Sequence, residues 1–169
     1  DGAPGDRLIG ILADIERGGP VLDLNAALYL VRQLVSAIEV LHKHARVAHG
    51  AIAPERLFVT PLGRLCIVEY VMGAALEQLK YSRERYWKEL RVALPMDVGL
   101  PKFDERADLT QVGTVALALV LGRPLEDSDY PGQIEELVES ACARTAEGAT
   151  EPLPSGLREW LRRTLQLDV

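Results

Sequence analysis

The sequence predicts a mainly α-helical single domain with one short β-hairpin. Apolar residues recur at helical spacing through residues 24–44, the pattern of a long amphipathic helix with one buried face. Two short apolar runs follow at 57–60 and 65–68, separated by a stretch that contains proline and glycine. This arrangement is typical of two strands joined by a turn. Because 48% of the 169 residues are hydrophobic, enough for one core, we expect residues 1–169 to form one domain.

Capping residues and polar stretches predict where other elements begin and end. Residues 1–6 are predicted to be a frayed end, and residues 8–15 a short apolar helix. Asp23 is placed to cap the long helix that follows. Near the end of the chain, residues 145–154 are predicted to be a polar linker, and Ser155 is predicted to cap a last helix.

Residues 77–90 are rich in long side chains that favour a helix. Tyr81, Tyr86 and Trp87 lie in this stretch, and two interpretations of them are open. The three rings form an exposed anchor for a partner protein, or they fold back onto the core.

The charge balance disfavours one class of partner. The net charge is −6, whereas a nucleic-acid-binding protein is expected to show a basic patch or a high isoelectric point. A partner would instead be another protein or peptide, and an acidic face would suit a basic one. The alternative is that these carboxylates are solvated loop charges. The clustered carboxylates are Asp104, Glu105, Glu126, Asp127 and Asp129.

Cysteines and histidines do not have the spacing of a metal or redox site. Cys66 lies in an apolar run and is predicted to be a small core residue, far in sequence from Cys142. His42 and His44 end the predicted long helix, where a cation suits the helix dipole. The sequence shows no secretory leader and no uninterrupted apolar run that would cross a bilayer. We therefore expect no cofactor, no metal, no membrane insertion and a cytoplasmic location.

Residues 49–56 read His-Gly-Ala-Ile-Ala-Pro-Glu-Arg. This segment resembles the catalytic loop of the eukaryotic-type protein kinase family, His-Arg-Asp-Leu-Lys-Pro-Glu-Asn. His49, Pro54 and Glu55 match, and Ile52 is a conservative replacement. The positions of the family's Arg, Asp, Lys and Asn hold Gly50, Ala51, Ala53 and Arg56. The second strand of the hairpin leads into Glu69-Tyr70-Val71, where the family has Asp-Phe-Gly.

A second stretch carries the resemblance further along the chain. Residues 104–124 form an acidic start, an apolar run and a Gly-Arg-Pro stop, and they are similar to the buried central helix of the kinase C-terminal lobe. Asp108 and Gly113 take the matching positions. The resemblance implies that Asp108 hydrogen-bonds the backbone of the loop and that His49 is a buried, neutral residue that holds the loop. Near a helix start, Asp108 is also favourable against the dipole.

The resemblance covers about residues 8–168 and implies the fold of a kinase C-terminal lobe without the N-terminal lobe. It also implies that catalytic groups are replaced, since Ala51 cannot accept the substrate proton and Arg56 cannot hold magnesium. Glu69 either replaces a metal ligand or pairs with Arg56, and the charges favour the ion pair.

We therefore expect a catalytically inactive, pseudokinase-like domain, similar to the kinase non-catalytic C-lobe domain. Its expected role is that of a protein-interaction, scaffold or regulatory module. The alternative is a nucleotide-binding or weakly active serine/threonine kinase fragment whose N-terminal lobe lies outside this chain.

Overall fold

The computed structural model describes residues 5–67, 72–96 and 99–167, and this part of the chain is mainly helical. The mainly α class predicted from the sequence is confirmed. The α-helices of the described residues are α1 (Leu8–Glu16), α2 (Leu24–Val40), α3 (Gly73–Glu77), α4 (Arg83–Leu90), α5 (Glu105–Leu121), α6 (Ile134–Ser140) and α7 (Ser155–Thr164). The strands are β1 (Asp6–Arg7), β2 (Leu57–Val59), β3 (Leu65–Ile67), β4 (Cys142–Arg144) and β5 (Thr150–Pro152).

Helix α5 is the centre of the core. Thirteen of its 17 residues are buried, as expected for a helix that is apolar on nearly every face. Helix α2 packs along it, and α7 crosses it. The crossing with α7 depends on Gly113, because a Cβ built there would lie 2.7 Å from Leu165 Cγ.

Side-chain caps begin the two long helices. The Asp23 carboxylate accepts a hydrogen bond from the N–H of Ala26 at 2.9 Å, as the sequence predicts. Asp104 does the same for α5, accepting from Ala107 at 3.1 Å. The predicted cap at Ser155 is wrong. Pro154 leads the chain into α7, and Ser155 is already the first helical residue, with no side-chain cap bond.

The predicted hairpin is present and belongs to a larger sheet. Strands β2 and β3 pair antiparallel, with Val59 opposite Leu65. Strand β1 pairs with β2 through Arg7 and Phe58, in a segment whose start was predicted to be frayed. A second small sheet joins β4 to β5, so the prediction of a plain linker over 145–154 is wrong.

Two further predictions are corrected by the structure. The helix predicted over 77–90 is broken between α3 and α4. Lys80 has a φ of 55°, and Ser82 caps α4 by accepting from the N–H of Arg85 at 3.1 Å. Cys66 is exposed and is not a core residue. Side chains alternate along a strand, and in β3 its neighbours occupy the inward positions.

A helical stretch over Leu24–Ala45, which continues α2 through a π-helical turn (Leu41–Ala45), is long and apolar enough by composition to cross a bilayer. The core helix of a globular protein meets the same criteria. Here Leu30, Leu34 and Ile38 are buried in the core, so we interpret α2 as a packing helix.

Replacing Gly113 with alanine tests the α5–α7 crossing. The added methyl group meets both the side chain and the backbone nitrogen of Leu165. We expect the free energy of unfolding to fall by about 1–3 kcal/mol, the usual effect of overpacking. Denaturant unfolding measures the change.

Gly10→Ala is the matched control. Gly10 lies inside α1, and a Cβ there would have nothing within 4 Å. This variant should be as stable as the wild type or more stable, since alanine is the better helix former. Equal destabilisation by both substitutions would show that the crossing does not require a glycine.

Candidate functional site

The loop at residues 49–56 is held by the buried carboxylate of Asp108. The N–H of His49 donates to Asp108 Oδ2 at 2.7 Å, and the N–H of Gly50 donates to Oδ1 at 2.8 Å. The Asp108 side chain is fully buried. These are the contacts to the loop backbone that the resemblance implies for this residue.

His42 is part of the same cluster, which sequence reasoning missed. Its Nε2 lies 2.8 Å from Asp108 Oδ2. The His42 ring therefore contacts the carboxylate that holds the loop, in addition to lying at the end of the predicted long helix. Chemical reasoning could have identified His42 as a partner of Asp108. A buried carboxylate has capacity for more donors than two backbone N–H groups, and His42 is a polar group close to the loop in sequence.

Gln111 lies one helical turn after Asp108 and was also missed. Its side-chain amide donates to the carbonyl oxygen of Gly50 at 3.0 Å and to that of Ala93 at 3.2 Å. Its carbonyl oxygen accepts from the N–H of Ile52 at 2.7 Å. One face of α5 therefore fixes the loop and ties it to the segment after α4, since residues three apart share a helix face.

His49 is buried, and its ring serves the loop itself. Its Nδ1 accepts a hydrogen bond from the N–H of Ala51 at 3.1 Å, so this nitrogen carries no proton. The carbonyl of His49 accepts from the N–H of Met72 at 2.9 Å. The side chains of Ala51 and Ala53 are buried methyl groups.

Arg56 is bound to backbone carbonyls. Its Nε donates to Ala51 at 2.5 Å, and its Nη2 donates to Leu90 at 2.8 Å and to Arg91 at 3.4 Å. Burial lowers the pKa of the Arg56 guanidinium, while the charge of Glu55 acts in the opposite direction. The predicted partner Glu69, with the rest of Glu69-Tyr70-Val71, lies outside the described residues.

Tyr86 and Trp87 fold back onto the core, which is the second of the two open interpretations. Tyr86 is 1% exposed and Trp87 is 4% exposed, so neither forms a partner surface. The Tyr86 hydroxyl donates to the carbonyl of Leu76 at 2.5 Å, and the Trp87 indole N–H donates to that of Asp127 at 3.1 Å. Their polar atoms have internal partners, which makes burial favourable. Tyr81 is partly exposed.

The acidic residues that were candidates for a basic partner have partners within the chain. Asp104 caps α5, and Asp127 pairs with Arg91 at 2.6 Å. Asp129 accepts from Arg123 at 2.8 Å. Glu105 lies 3.8 Å from His42, and Glu126 caps the 3₁₀ turn Asp127–Asp129. Asp129 is buried, whereas the other four carboxylates are exposed, so a basic partner stays a prediction.

Across residues 5–67, 72–96 and 99–167, no group of three or more His, Cys, Asp or Glu side chains is arranged to hold a metal ion. The polar side chains of the loop are His49, Glu55 and Arg56, and one carboxylate oxygen of Glu55 is buried without a hydrogen-bond partner among the described residues.

No protein-family model matches this chain. Among curated proteins, it is similar to the mitogen-activated protein kinase pmk-3 of Caenorhabditis elegans, with 22% identity over 121 residues. The match covers 70% of this chain and 25% of that protein, so the chain spans about a quarter of the length of this relative. The similarity indicates a distant kinase-like relationship.

Replacing Gln111 with leucine tests the frame of the loop, by which we mean the hydrogen bonds from Asp108 and Gln111 to the backbone of residues 49–52. Two carbonyls and one N–H lose their partner in a buried site. We expect the free energy of unfolding to fall by about 3 kcal/mol, because unsatisfied buried groups carry their desolvation penalty. Denaturant unfolding measures it. Gln78→Leu, at an exposed position, should change stability by less than about 0.5 kcal/mol. Equal effects would contradict a role for Gln111 in the frame.

Acid titration tests the Asp129 cluster. Burial alone would raise the pKa of Asp129, but hydrogen bonds from Arg123 and from the N–H of Glu126 lower it below 3.8. The carboxylate therefore contributes stability above its unfolded-state pKa, and that contribution is lost as pH falls through the lower folded-state pKa.

We expect Asp129→Asn to lose less stability than the wild type when the pH is lowered from about 5 to about 2. Denaturant unfolding at each pH measures this. Asp14→Asn, which alters an exposed carboxylate paired with Arg17, should follow the wild-type pH dependence. If Asp129→Asn also follows it, the cluster does not contribute.

Proposed function

We propose that this chain is a kinase-like lobe that does not transfer phosphoryl groups and acts as a protein-interaction, scaffold or regulatory module. The observation that carries the proposal is the position of the Arg56 guanidinium. It lies inside the loop and is bound to the carbonyls of Ala51, Leu90 and Arg91.

Phosphoryl transfer by kinases needs an aspartate that accepts the substrate proton and an asparagine that helps to hold magnesium. In the alignment given by the resemblance, these positions are the buried methyl group of Ala51 and the side chain of Arg56. A fixed guanidinium at the second position repels a divalent cation, because like charges a few ångströms apart repel strongly when partly shielded from water. Arginine also offers no oxygen ligand.

The backbone of the loop is nevertheless held by several hydrogen bonds. Asp108 and Gln111 bind four backbone groups of residues 49–52, which makes the loop a rigid support. A few aliphatic side chains elsewhere are largely exposed, namely Leu62 at 93%, Leu100 at 84% and Met96 at 69%. A rigid body with exposed apolar side chains suits protein binding.

The proposed setting is cytoplasmic. Cys66 and Cys142 are both unpaired and exposed, and free surface thiols suit a reducing compartment. The proposal includes a protein or peptide partner and no nucleic acid, in keeping with the net charge of −6.

Thermal unfolding with ATP and Mg²⁺ or Mn²⁺ tests the inactive interpretation. A ligand that binds the folded state raises the unfolding midpoint by mass action. We expect the same midpoint with and without nucleotide, because the resemblance aligns Arg56 with the asparagine that helps to hold magnesium in kinases. ATP alone and each metal alone are the controls.

A rise that requires both nucleotide and metal would overturn the proposal and support the nucleotide-binding alternative. Repeating the measurement on Arg56→Asn, which has the family's residue, would then show whether the arginine opposes or assists the metal.

A further inference from the structure

A shallow groove lies between α2 and the β2–β3 turn. Its volume is about 480 Å³. Its lining consists of four residues of α2, one turn residue and the first residue of β3, namely Tyr29, Arg32, Gln33, Ser36, Arg64 and Leu65. We call it the α2–turn groove. It is separate from the loop at residues 49–56.

Gln33 joins the two walls of the groove. The Gln33 side-chain N–H donates to the carbonyl of Gly63 at 2.9 Å, and its side-chain oxygen accepts from the N–H of Leu65 at 2.9 Å. The Tyr29 ring lies against the turn, 3.6 Å from where a Cβ of Gly63 would be. A preformed groove loses little conformational entropy on binding.

The charge of the groove is opposite to that of the protein. Arg32 and Arg64 are exposed, and neither forms an ion pair with a residue in the described ranges. Arg91, Arg123 and Arg162, in contrast, pair with carboxylates of the chain. The described lining contains no acidic side chain. Two arginines available for hydrogen bonding suit carboxylates, which a guanidinium binds with two parallel bonds.

Tyr29 in the groove and Leu62 in the adjoining turn are both exposed. Tyr29 is 55% exposed. Leu62, next to Gly63 in the turn, is almost fully exposed. Exposed tyrosine and arginine side chains are the types that dominate the energy of protein interfaces. A free anion would use the arginines alone, whereas a peptide with acidic and apolar side chains would use all four residues.

We propose that the α2–turn groove binds an acidic peptide segment of a partner protein. Its carboxylates pair with Arg32 and Arg64, and an apolar side chain packs against Tyr29 and Leu62. This inference rests on the proposed function and names the chemistry of the partner. This acidic partner is different from the basic partner expected from the clustered carboxylates, which stays a prediction.

The test is a selection from a phage-displayed library of random short peptides on the whole chain, followed by fluorescence anisotropy with the enriched peptides. We expect enrichment of peptides with Asp or Glu next to apolar residues. Their affinity should fall by about tenfold or more on Arg32→Glu/Arg64→Glu, because charge reversal repels the carboxylates. It should also weaken with added salt.

Arg163→Glu is the matched control, since Arg163 is an exposed helical arginine outside the groove. It should bind the enriched peptides like the wild type. If the double charge reversal reduces the unfolding midpoint, Arg32→Gln/Arg64→Gln replaces it and should still weaken binding.

Peptides that are not acidic, or that bind the double variant as well as the wild type, would overturn the groove proposal while leaving an interaction module. Failure to enrich any peptide would also overturn it. The proposed function is tested separately. It fails if ATP raises the unfolding midpoint only when the metal ion is present.

Discussion

The loop and its surroundings depend on the hydrogen bonds that the buried carboxylate of Asp108 accepts. A charge removed from water is strongly destabilising unless it is paired and hydrogen-bonded. Two backbone N–H groups and the His42 ring lie within hydrogen-bonding distance of this one. It also lies in the first turn of α5, where the helix dipole favours a negative charge. The end of α2, the start of the loop and the centre of the core meet at this point.

Gln111 extends this frame to the middle of the loop and to Ala93. Two side chains of the central helix thus fix the loop backbone from outside the loop. Arg56 adds a further bond from within the loop, to the carbonyl of Ala51.

Features encoded over a few adjacent residues could be predicted from the sequence. The cap at Asp23, the turn between β2 and β3 and the apolar pattern of α5 depend on local propensity and periodicity, so their positions were close to the observed ones. The role of Asp108 was implied by resemblance, because its partners are 58 and 59 residues away and no local pattern identifies them. Pairing of β1 with β2 joins residues about 50 positions apart and has no local signal either.

Other predictions were wrong because two local preferences compete in the same segment. Residues 77–90 have side chains that favour a helix, but Ser82 is a better cap than an interior residue and divides the segment. Cys66 is apolar by type, yet strand alternation places it outward. The contacts of Gln33 and Gln111 could not be predicted, since a glutamine gives no sequence sign of which backbone groups it will bind.

The contacts of Arg56 also have a consequence for control of the protein. They join the loop to residues 90 and 91, which are 34 and 35 positions further along the chain. Moving that segment outward would leave a partly buried cation without its acceptors, which is unfavourable by several kcal/mol. A regulatory rearrangement at this segment is therefore disfavoured. Under the proposed interaction role, occupancy by the partner would be set by the partner's concentration and affinity.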